Sequence, residues 1–261
     1  MMRVWNSLDS WLDRRRQIEG RSIGFVPTMG ALHHGHASLV ERCRRENDVV
    51  VVSIFVNPSQ FNDPKDLDRY PRTLDRDLEL LKNLETDEVF VPSASDLYPN
   101  GYRLRVEGTG APMMESAFRP GFLQGVMTIV LKLLNLVRPG RAYFGEKDYQ
   151  QLQTVTQLVR EFFIPTTIVP CSTVREESGL AASSRNALLS PDSRRQAAAI
   201  YRILTTSPGP VQARHALEAE GFRVDYVDEQ WSRRFAAVFL DGVRLIDNVP
   251  ISAPCVRERC A

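Results

Sequence analysis

Residues 49–56 form an almost continuously apolar run, Val-Val-Val-Val-Ser-Ile-Phe-Val, that has no polar face. Successive side chains of a β-strand point to opposite faces of its sheet, so a strand of this composition is buried on both faces. We therefore predict that the run is a central strand of a parallel sheet. The polar residues that follow it, Asn57 and Gln60, should then point toward the ligand crevice at the carboxyl edge of the sheet.

The same alternation of apolar runs and amphipathic stretches extends over the first two-thirds of the chain. Four more segments have strand character: 22–27, 87–92, 141–145 and 166–173. A helix is predicted over 124–137, where aliphatic residues recur at helical spacing before Pro139 and Gly140. This pattern predicts an α/β fold in which helices cover both faces of a parallel sheet.

The sequence pattern changes beyond about residue 190. A helix is predicted from Pro191, followed by the breaker-rich segment 205–210, another helix and two or three short strands. We predict two domains, residues 1–188 and a small α+β domain over 189–261.

Net charge limits the classes of partner. The formal charge is +1 over 261 residues, which gives no general attraction for nucleic acid. No apolar run is long enough to span a bilayer, and the segment 9–16 is too charged for a signal peptide, so we expect a cytoplasmic protein and no membrane partner. The four cysteines form no C-x-x-C pair, which favours free thiols, although Cys255 and Cys260 remain candidates for a disulfide.

The segment Val-Pro-Thr-Met-Gly-Ala-Leu-His-His-Gly-His, residues 26–36, lies where a strand should give way to a helix. A helix N-terminus presents unpaired amides to phosphate, and Gly30 and Gly35 let the backbone approach a ligand. His33 and His36 are three residues apart and can contact one phosphate chain together. An isolated H-x-x-H pair more often caps a helix, packs or binds a metal, so the motif needs support from elsewhere.

Three further segments supply that support. Asn57 and Gln60 offer uncharged amides for hydroxyl and carboxylate oxygens. The segment 144–151, Phe-Gly-Glu-Lys-Asp-Tyr-Gln-Gln, combines a glycine for close approach with a lysine for phosphate, and Ala-Ser-Ser-Arg-Asn, 182–186, adds hydroxyls and a guanidinium. Each segment alone also fits an ordinary capped turn, a solvated ion pair or a surface loop.

Together the four segments resemble the pantothenate synthetases, which belong to the nucleotidylyltransferases and share a Rossmann-like ATP-binding core with class I aminoacyl-tRNA synthetases. The resemblance covers nearly the whole chain through PTMGALHHGH, VVVVSIFVNPSQF, YPRTLDRD, RPGFLQGV, AYFGEKDYQQL, SSRN and RLIDN. It implies the ATP-dependent joining of pantoate and β-alanine through a pantoyl adenylate, with Mg²⁺ bound through the ATP phosphates, and a homodimer.

The resemblance also implies roles for individual residues. His36, in the position of the proton donor, and His33 would stabilise departing pyrophosphate together with Lys147 and Arg185. Pantoate would bind Gln60 and Gln151, with Gln60 also against β-alanine, and Asn57, Tyr70 and Arg119 are lesser candidates. The implied ATP site comprises Pro27, Met29, Gly30, His33, Gly35, His36, Gly145, Lys147, Asp148, Val174, Ala182, Ser183, Ser184 and Arg185.

The chain departs from the family pattern at Ala182, Ser59 and Phe122, where methionine, methionine and histidine are common. The second domain also looks shortened around 205–212, and the charged loop 62–72 is a candidate lid. Three alternatives remain: an adenylyltransferase with another acceptor, a catalytically silent nucleotide-binding relative, and a synthetase-like RNA binder. The last would need a basic face that this sequence does not show.

Overall fold

The computed structural model describes residues 1–251, and Cys255 and Cys260 lie outside them. Cys43 and Cys171 are buried free thiols. The chain divides into two compact units, one that ends at Val174 and one that begins at Arg175. No helix of the described chain has both the length and the apolar character needed to cross a membrane.

The first unit contains six strands: β1 Arg3–Trp5, β2 Ile23–Thr28, β3 Val49–Ile54, β4 Glu88–Phe90, β5 Arg141–Gly145 and β6 Thr167–Cys171. Its α-helices are α1 Leu8–Gln17, α2 His34–Glu46, α3 Pro64–Arg69, α4 Leu74–Asn83, α5 Ala94–Leu97, α6 Glu115–Phe118, α7 Phe122–Val137 and α8 Tyr149–Glu161. Two short 3-10 helices, Pro58–Gln60 and Glu146–Asp148, follow β3 and β5.

The six strands form one sheet in the order β1-β4-β3-β2-β5-β6, and every neighbouring pair is parallel. The predicted central strand is confirmed as β3, with every residue buried. From β2 the chain builds the sheet outward through β3 and β4, and it then returns to the other side of β2 with β5 and β6. The carboxyl ends of β2 and β5 therefore flank the switch point at which such sheets bind ligands.

Helices cover both faces of the sheet, as the sequence predicts. Alternation along the strands sends Phe25 into one apolar cluster and Val26 into the other. On one face the sheet packs against Trp11 of α1, Ile129 of α7 and Val155 of α8. On the opposite face it packs against α2 and α4.

Strand β1 is not predicted from the sequence, because its three residues, Arg-Val-Trp, have no apolar periodicity. It is held at the sheet edge by Glu88 of β4, a carboxylate in a residue only 1% exposed. Trp5 Nε1 donates a hydrogen bond of 2.7 Å to Glu88, and Arg14 of α1 forms an ion pair with it at 2.6 Å. Long-range polar contacts rather than local sequence thus determine this strand.

The second unit contains α9 Pro191–Ala197, α10 Ala199–Thr206 and α11 Pro210–Ala219, followed by β7 Arg223–Gln230, β8 Arg233–Leu240 and β9 Val243–Pro250. The three strands form an antiparallel sheet in chain order. Its core joins side chains of β8 and β9 to Ile203 of α10 and Leu217 of α11. This arrangement confirms the small α+β unit.

The boundary between the units lies earlier than the one predicted after residue 188. Arg175 pairs with Asp247 of β9 through hydrogen bonds of 2.6 and 3.0 Å, and Leu180 belongs to the core of the second unit. Glu176 forms an ion pair at 2.8 Å with Arg194 of α9. Residues 175–188 therefore belong with the strands and helices that follow them.

Candidate active site

The side chain of Thr28 anchors the turn after β2. Thr28 Oγ1 donates a hydrogen bond of 2.7 Å to the carbonyl of Ser53 on β3, and it accepts one of 3.2 Å from the amide of Gly30. Gly30 and Ala31 follow in the left-handed region, with φ of 78° and 49°. Glycine adopts this conformation without strain, whereas Ala31 needs support from surrounding contacts.

Asp77 of α4 supplies that support. Its carboxylate, in a residue only 1% exposed, accepts hydrogen bonds of 2.9 Å from the amide of Ala31 and 2.8 Å from that of Leu32. The hydroxyl of Thr73 donates a third at 3.1 Å. Successive amides of this kind form a concavity that binds anions, and here the anion is a side chain of the protein itself.

His33 caps the first turn of α2. Its extended backbone, φ −139° and ψ 175°, precedes the helix, and its Nδ1 accepts a hydrogen bond of 3.1 Å from the amide of Gly35. The neutral imidazole therefore carries its proton on Nε2. His36 lies beside it, with ring centroids 4.1 Å apart, whereas His34 is exposed.

Burial, more than any nearby charge, lowers the pKa of both imidazoles. The pKa of His33 falls to about 3, because of burial first and then the neighbouring His36 and Lys147. The pKa of His36 falls to about 4, because of burial and then Lys147. Both rings are therefore neutral near pH 7 in the free protein, and each presents one N–H donor.

The end of β5 brings a cation to the same place. Lys147 lies in the 3-10 helix after β5, its side chain 17% exposed and its Nζ 3.9 Å from the carboxylate of Asp148. Strands β2 and β5 pair in parallel, so their carboxyl ends lie side by side, and the charge of Lys147 is one cause of the lowered pKa values of His33 and His36. A Cβ at Gly145 would have no other atom within 4 Å, which leaves room for a ligand.

A second cluster lies after β3, around Asn57 and Gln60. Asn57 is only 1% exposed, and its Nδ2 donates to Gln60 Oε1 at 3.1 Å and to the carbonyl of Gly125 at 3.2 Å. Its Oδ1 accepts from the amide and hydroxyl of Ser59, at 3.4 and 2.9 Å, and from the hydroxyl of Tyr98 at 3.0 Å. Protein groups thus occupy every position of the Asn57 amide.

Arg119 and Phe122 stand next to this cluster. The Arg119 guanidinium donates a hydrogen bond of 3.3 Å to the carbonyl of Gln60 and lies 3.9 Å from the centroid of the Phe122 ring. At the position where the family pattern has histidine, this chain therefore uses a cation–π contact. Gln151 lies half-buried on α8.

Tyr70, Val174 and the candidate lid have structural surroundings of their own. The segment 62–72 contains the short helix α3, capped by Asp63, and the buried Tyr70 ring packs edge-on against Phe61. Val174 is half-buried and follows β6. A lid movement of this segment stays a prediction.

In the second unit, Ala182 is buried and the serines open a 3-10 helix, Ser184–Leu188. Ser183 Oγ caps it by accepting a hydrogen bond of 3.2 Å from the amide of Arg185. Asn186 Nδ2 donates to Glu176 and to the carbonyl of Ala181, both at 3.0 Å. The Ser-Ser-Arg-Asn turn is therefore fixed from within its own unit.

Two residues of the site had no assigned role from the sequence, Asp77 and Gly125. Both stand in quoted motifs, Asp77 at the end of YPRTLDRD and Gly125 in RPGFLQGV. The motifs marked the segments, but the backbone amides that Asp77 binds and the Asn57 side chain that the Gly125 carbonyl binds lie far away in the chain.

Comparison with known proteins supports one family. The model of the pantoate-beta-alanine ligase family matches residues 1–250. A pantothenate synthetase from Bdellovibrio bacteriovorus is 50% identical over 252 residues, covering 96% of this chain and all of the relative. One from Aquifex aeolicus is 46% identical, covering 90% of this chain and 93% of its own.

Two solved structures of pantoate ligases are similar to this chain over nearly its whole length. The pantoate-beta-alanine ligase of Francisella tularensis, a crystal structure complexed with beta-gamma ATP and beta-alanine, has a TM-score of 0.92 at 42% identity, covering 96% of this chain and 98% of its own. Pantothenate synthetase from Thermus thermophilus has a TM-score of 0.89 at 42% identity, covering 97% of this chain and all of its own.

Proposed function

The chain belongs to the pantoate-beta-alanine ligase family, whose members form a carbon–nitrogen bond, and we propose that it joins pantoate to β-alanine with the cleavage of ATP to AMP and pyrophosphate. The pantoate carboxylate would attack the α-phosphorus to give pantoyl adenylate and pyrophosphate. The amine of β-alanine would then attack the acyl carbonyl and release AMP. The observation that carries this proposal is the meeting of two neutral imidazoles and Lys147 at the switch point of the sheet.

In the first step an anionic carboxylate must approach an anionic triphosphate, so catalysis depends on positioning and on neutralising negative charge. We assign the binding of the ATP phosphates to Lys147 and to the Nε2–H of His33. ATP brings negative charge beside both imidazoles and raises their pKa from the low values of the free protein. His36 would then donate to the departing pyrophosphate.

The remaining nucleotide contacts follow from the same family assignment. Asp148 is proposed to contact the ribose, and Ser183, Ser184 and Arg185 are proposed to bind phosphate. Mg²⁺ would bind the phosphate oxygens, because this ion keeps several waters and prefers phosphate to an all-protein site. It would neutralise charge on the triphosphate.

Pantoate is assigned to Gln60 and Gln151, whose amides can bind hydroxyl and carboxylate oxygens without a competing charge. No group of the enzyme has to act as a nucleophile, because the acyl adenylate is itself reactive. Cytoplasmic location, where ATP is abundant, and a homodimer remain predictions.

The test is AMP formation from ATP and Mg²⁺ with pantoate and β-alanine, each omitted in turn. We expect AMP release only when both substrates are present. With pantoate alone we expect labelled pyrophosphate to exchange into ATP, because adenylate formation is reversible. An adenylyltransferase with another acceptor would not cleave ATP in response to pantoate. A silent nucleotide-binding relative would bind ATP without forming AMP under any of these conditions.

A further inference from the structure

The hydrogen bonds of Asn57 fix which end of its amide faces which neighbour. The carbonyl of Gly125 can only accept, so the atom 3.2 Å from it must be Nδ2. The amide of Ser59 can only donate, so the atom 3.4 Å from it must be Oδ1. Backbone groups thus settle the orientation of this side chain.

The orientation of Asn57 then determines that of Gln60. Nδ2 of Asn57, already a donor, lies 3.1 Å from the Gln60 amide, so the atom facing it must be the acceptor Oε1. The Gln60 NH₂ group therefore faces away from Asn57. A glutamine held in this way offers two N–H donors, which suit a carboxylate or hydroxyl oxygen and not another donor.

Gly125 makes this arrangement possible. A Cβ at residue 125 of α7 would lie 2.3 Å from the carbonyl oxygen of Ser59 and 2.7 Å from the amide nitrogen of Gln60. Only glycine lets the 3-10 helix that carries Gln60 pack directly on α7. The same close packing brings the Gly125 carbonyl within reach of Asn57.

We propose that Asn57 and Gly125 are positioning residues that orient the Gln60 amide, so that its NH₂ group is presented to the oxygens of pantoate. The family resemblance makes Asn57 a candidate ligand of the substrate. In this proposal Asn57 instead affects substrate binding by orienting Gln60. This inference rests on the proposed function, because it takes Gln60 as a pantoate ligand.

A double-mutant cycle tests the inference. Asn57→Ala, Gln60→Ala and the double variant are compared by steady-state AMP formation, with KM and kcat measured separately for pantoate and ATP. We expect Asn57→Ala to lower kcat/KM for pantoate about tenfold, the value of one or two lost hydrogen bonds, and to leave the KM for ATP unchanged. In the Gln60→Ala background the same change should have less than about a twofold effect.

Two outcomes of the cycle would overturn the inference. One is an equal loss from Asn57→Ala in both backgrounds, which would make Asn57 independent of Gln60. The other is a KM for ATP that rises as much as the KM for pantoate, which would mean a general disturbance of the fold. A wild-type protein that forms no AMP with pantoate and β-alanine together would instead reject the proposed function.

Two further variants leave Asn57 and Gln60 in place, and the milder of them, Tyr98→Phe, guards the test against misfolding. Tyr98→Phe removes one hydrogen bond to Asn57 Oδ1 and should lower kcat/KM for pantoate about threefold. Gly125→Ala forces the Ser59–Gln60 backbone away from α7 and should raise the KM for pantoate, again with little added effect beside Gln60→Ala. Unchanged pantoate kinetics in both variants would reject the positioning role.

Discussion

The carboxylate of Asp77 accepts a hydrogen bond of 2.8 Å from the backbone amide of Leu32, a residue 45 positions earlier in the chain. The bond connects α4 to the turn that precedes His33. Asp77 also accepts from Ala31, whose positive φ makes it one of the less relaxed residues of the turn. The position of the first imidazole therefore depends on a carboxylate that no local motif places there.

Asp77→Asn is expected to weaken both the fold and the first reaction step. The amide replaces one acceptor oxygen with a donor, so one buried N–H of the turn loses its partner at a cost of about 1–3 kcal/mol. We expect a lower free energy of unfolding in urea and slower pyrophosphate exchange. Asp75→Asn, at an exposed position of the same helix, is the control and should change neither. Equal behaviour of the two variants would contradict this role for Asp77.

The lowered imidazole pKa values predict a pH dependence of stability. His36 has a pKa of about 4 in the folded protein and about 6.5 when unfolded, so between these values only the unfolded chain binds the proton. Its contribution to stability is complete above pH 6.5 and is lost as the pH falls toward 4, on the order of 2 kcal/mol. Between pH 7.5 and pH 4.5, the free energy of unfolding in urea should fall less for His36→Gln than for wild type. His34→Gln, at an exposed position, is the control.

His36→Ala is expected to slow adenylate formation about a hundredfold, the usual effect of removing a donor aimed at developing negative charge. Stability at pH 7.5 should change by less than about 1 kcal/mol, because His36 Nδ1 is buried with no hydrogen-bond partner in the described chain. Single-turnover formation of pantoyl adenylate and thermal unfolding measure the two effects. A variant that unfolds but keeps its rate per folded molecule would show that His36 only packs.

Gly24→Ala should destabilise the first unit. A Cβ on this β2 residue would lie 2.4 Å from both Asn47 Nδ2 and Cys43 Sγ, the ends of two buried side chains that would have to move. Overpacking of this kind costs about 1–3 kcal/mol. The matched change Gly110→Ala meets no atom within 4 Å and should leave the urea midpoint unchanged. Equal midpoints for the two variants would mean that α2 shifts freely away from the sheet.

Glu176→Gln tests the Ser-Ser-Arg-Asn turn. Glu176 accepts a hydrogen bond of 3.0 Å from Asn186 and pairs with Arg194, so loss of its charge should loosen the turn that carries Arg185. If Arg185 binds phosphate, the KM for ATP should rise about threefold to tenfold, while the KM for pantoate stays constant. The exposed neighbour Glu177→Gln is the control. An unchanged KM for ATP would show that this turn does not contribute to nucleotide binding.

The regular part of the fold was predictable because local chemistry specifies it. Residues 49–56 are apolar on both faces, and this alone requires a central strand. The helix predicted over 124–137 forms over 122–137, because an aliphatic face and the Pro139–Gly140 pair define its course. The histidine segment could be placed between strand and helix for the same local reasons.

Other features depend on residues that meet only after folding. Strand β1 is held by Glu88, and the boundary of the units moves because Arg175 pairs with Asp247. Sequence alone does not show that burial, and then Lys147, keep His33 and His36 neutral in the free protein.

Local sequence was enough to specify the parallel sheet, the segments at its carboxyl edge and the family, since each is written in residues close together in the chain. The folded chain was needed to establish three features. The amides of Ala31 and Leu32 donate hydrogen bonds to Asp77, the Asn57 amide donates to Gln60, and the imidazoles of His33 and His36 are neutral. The physical reason is that hydrogen-bond partners and desolvation are properties of the packed interior, where the chain brings together residues that are far apart in sequence.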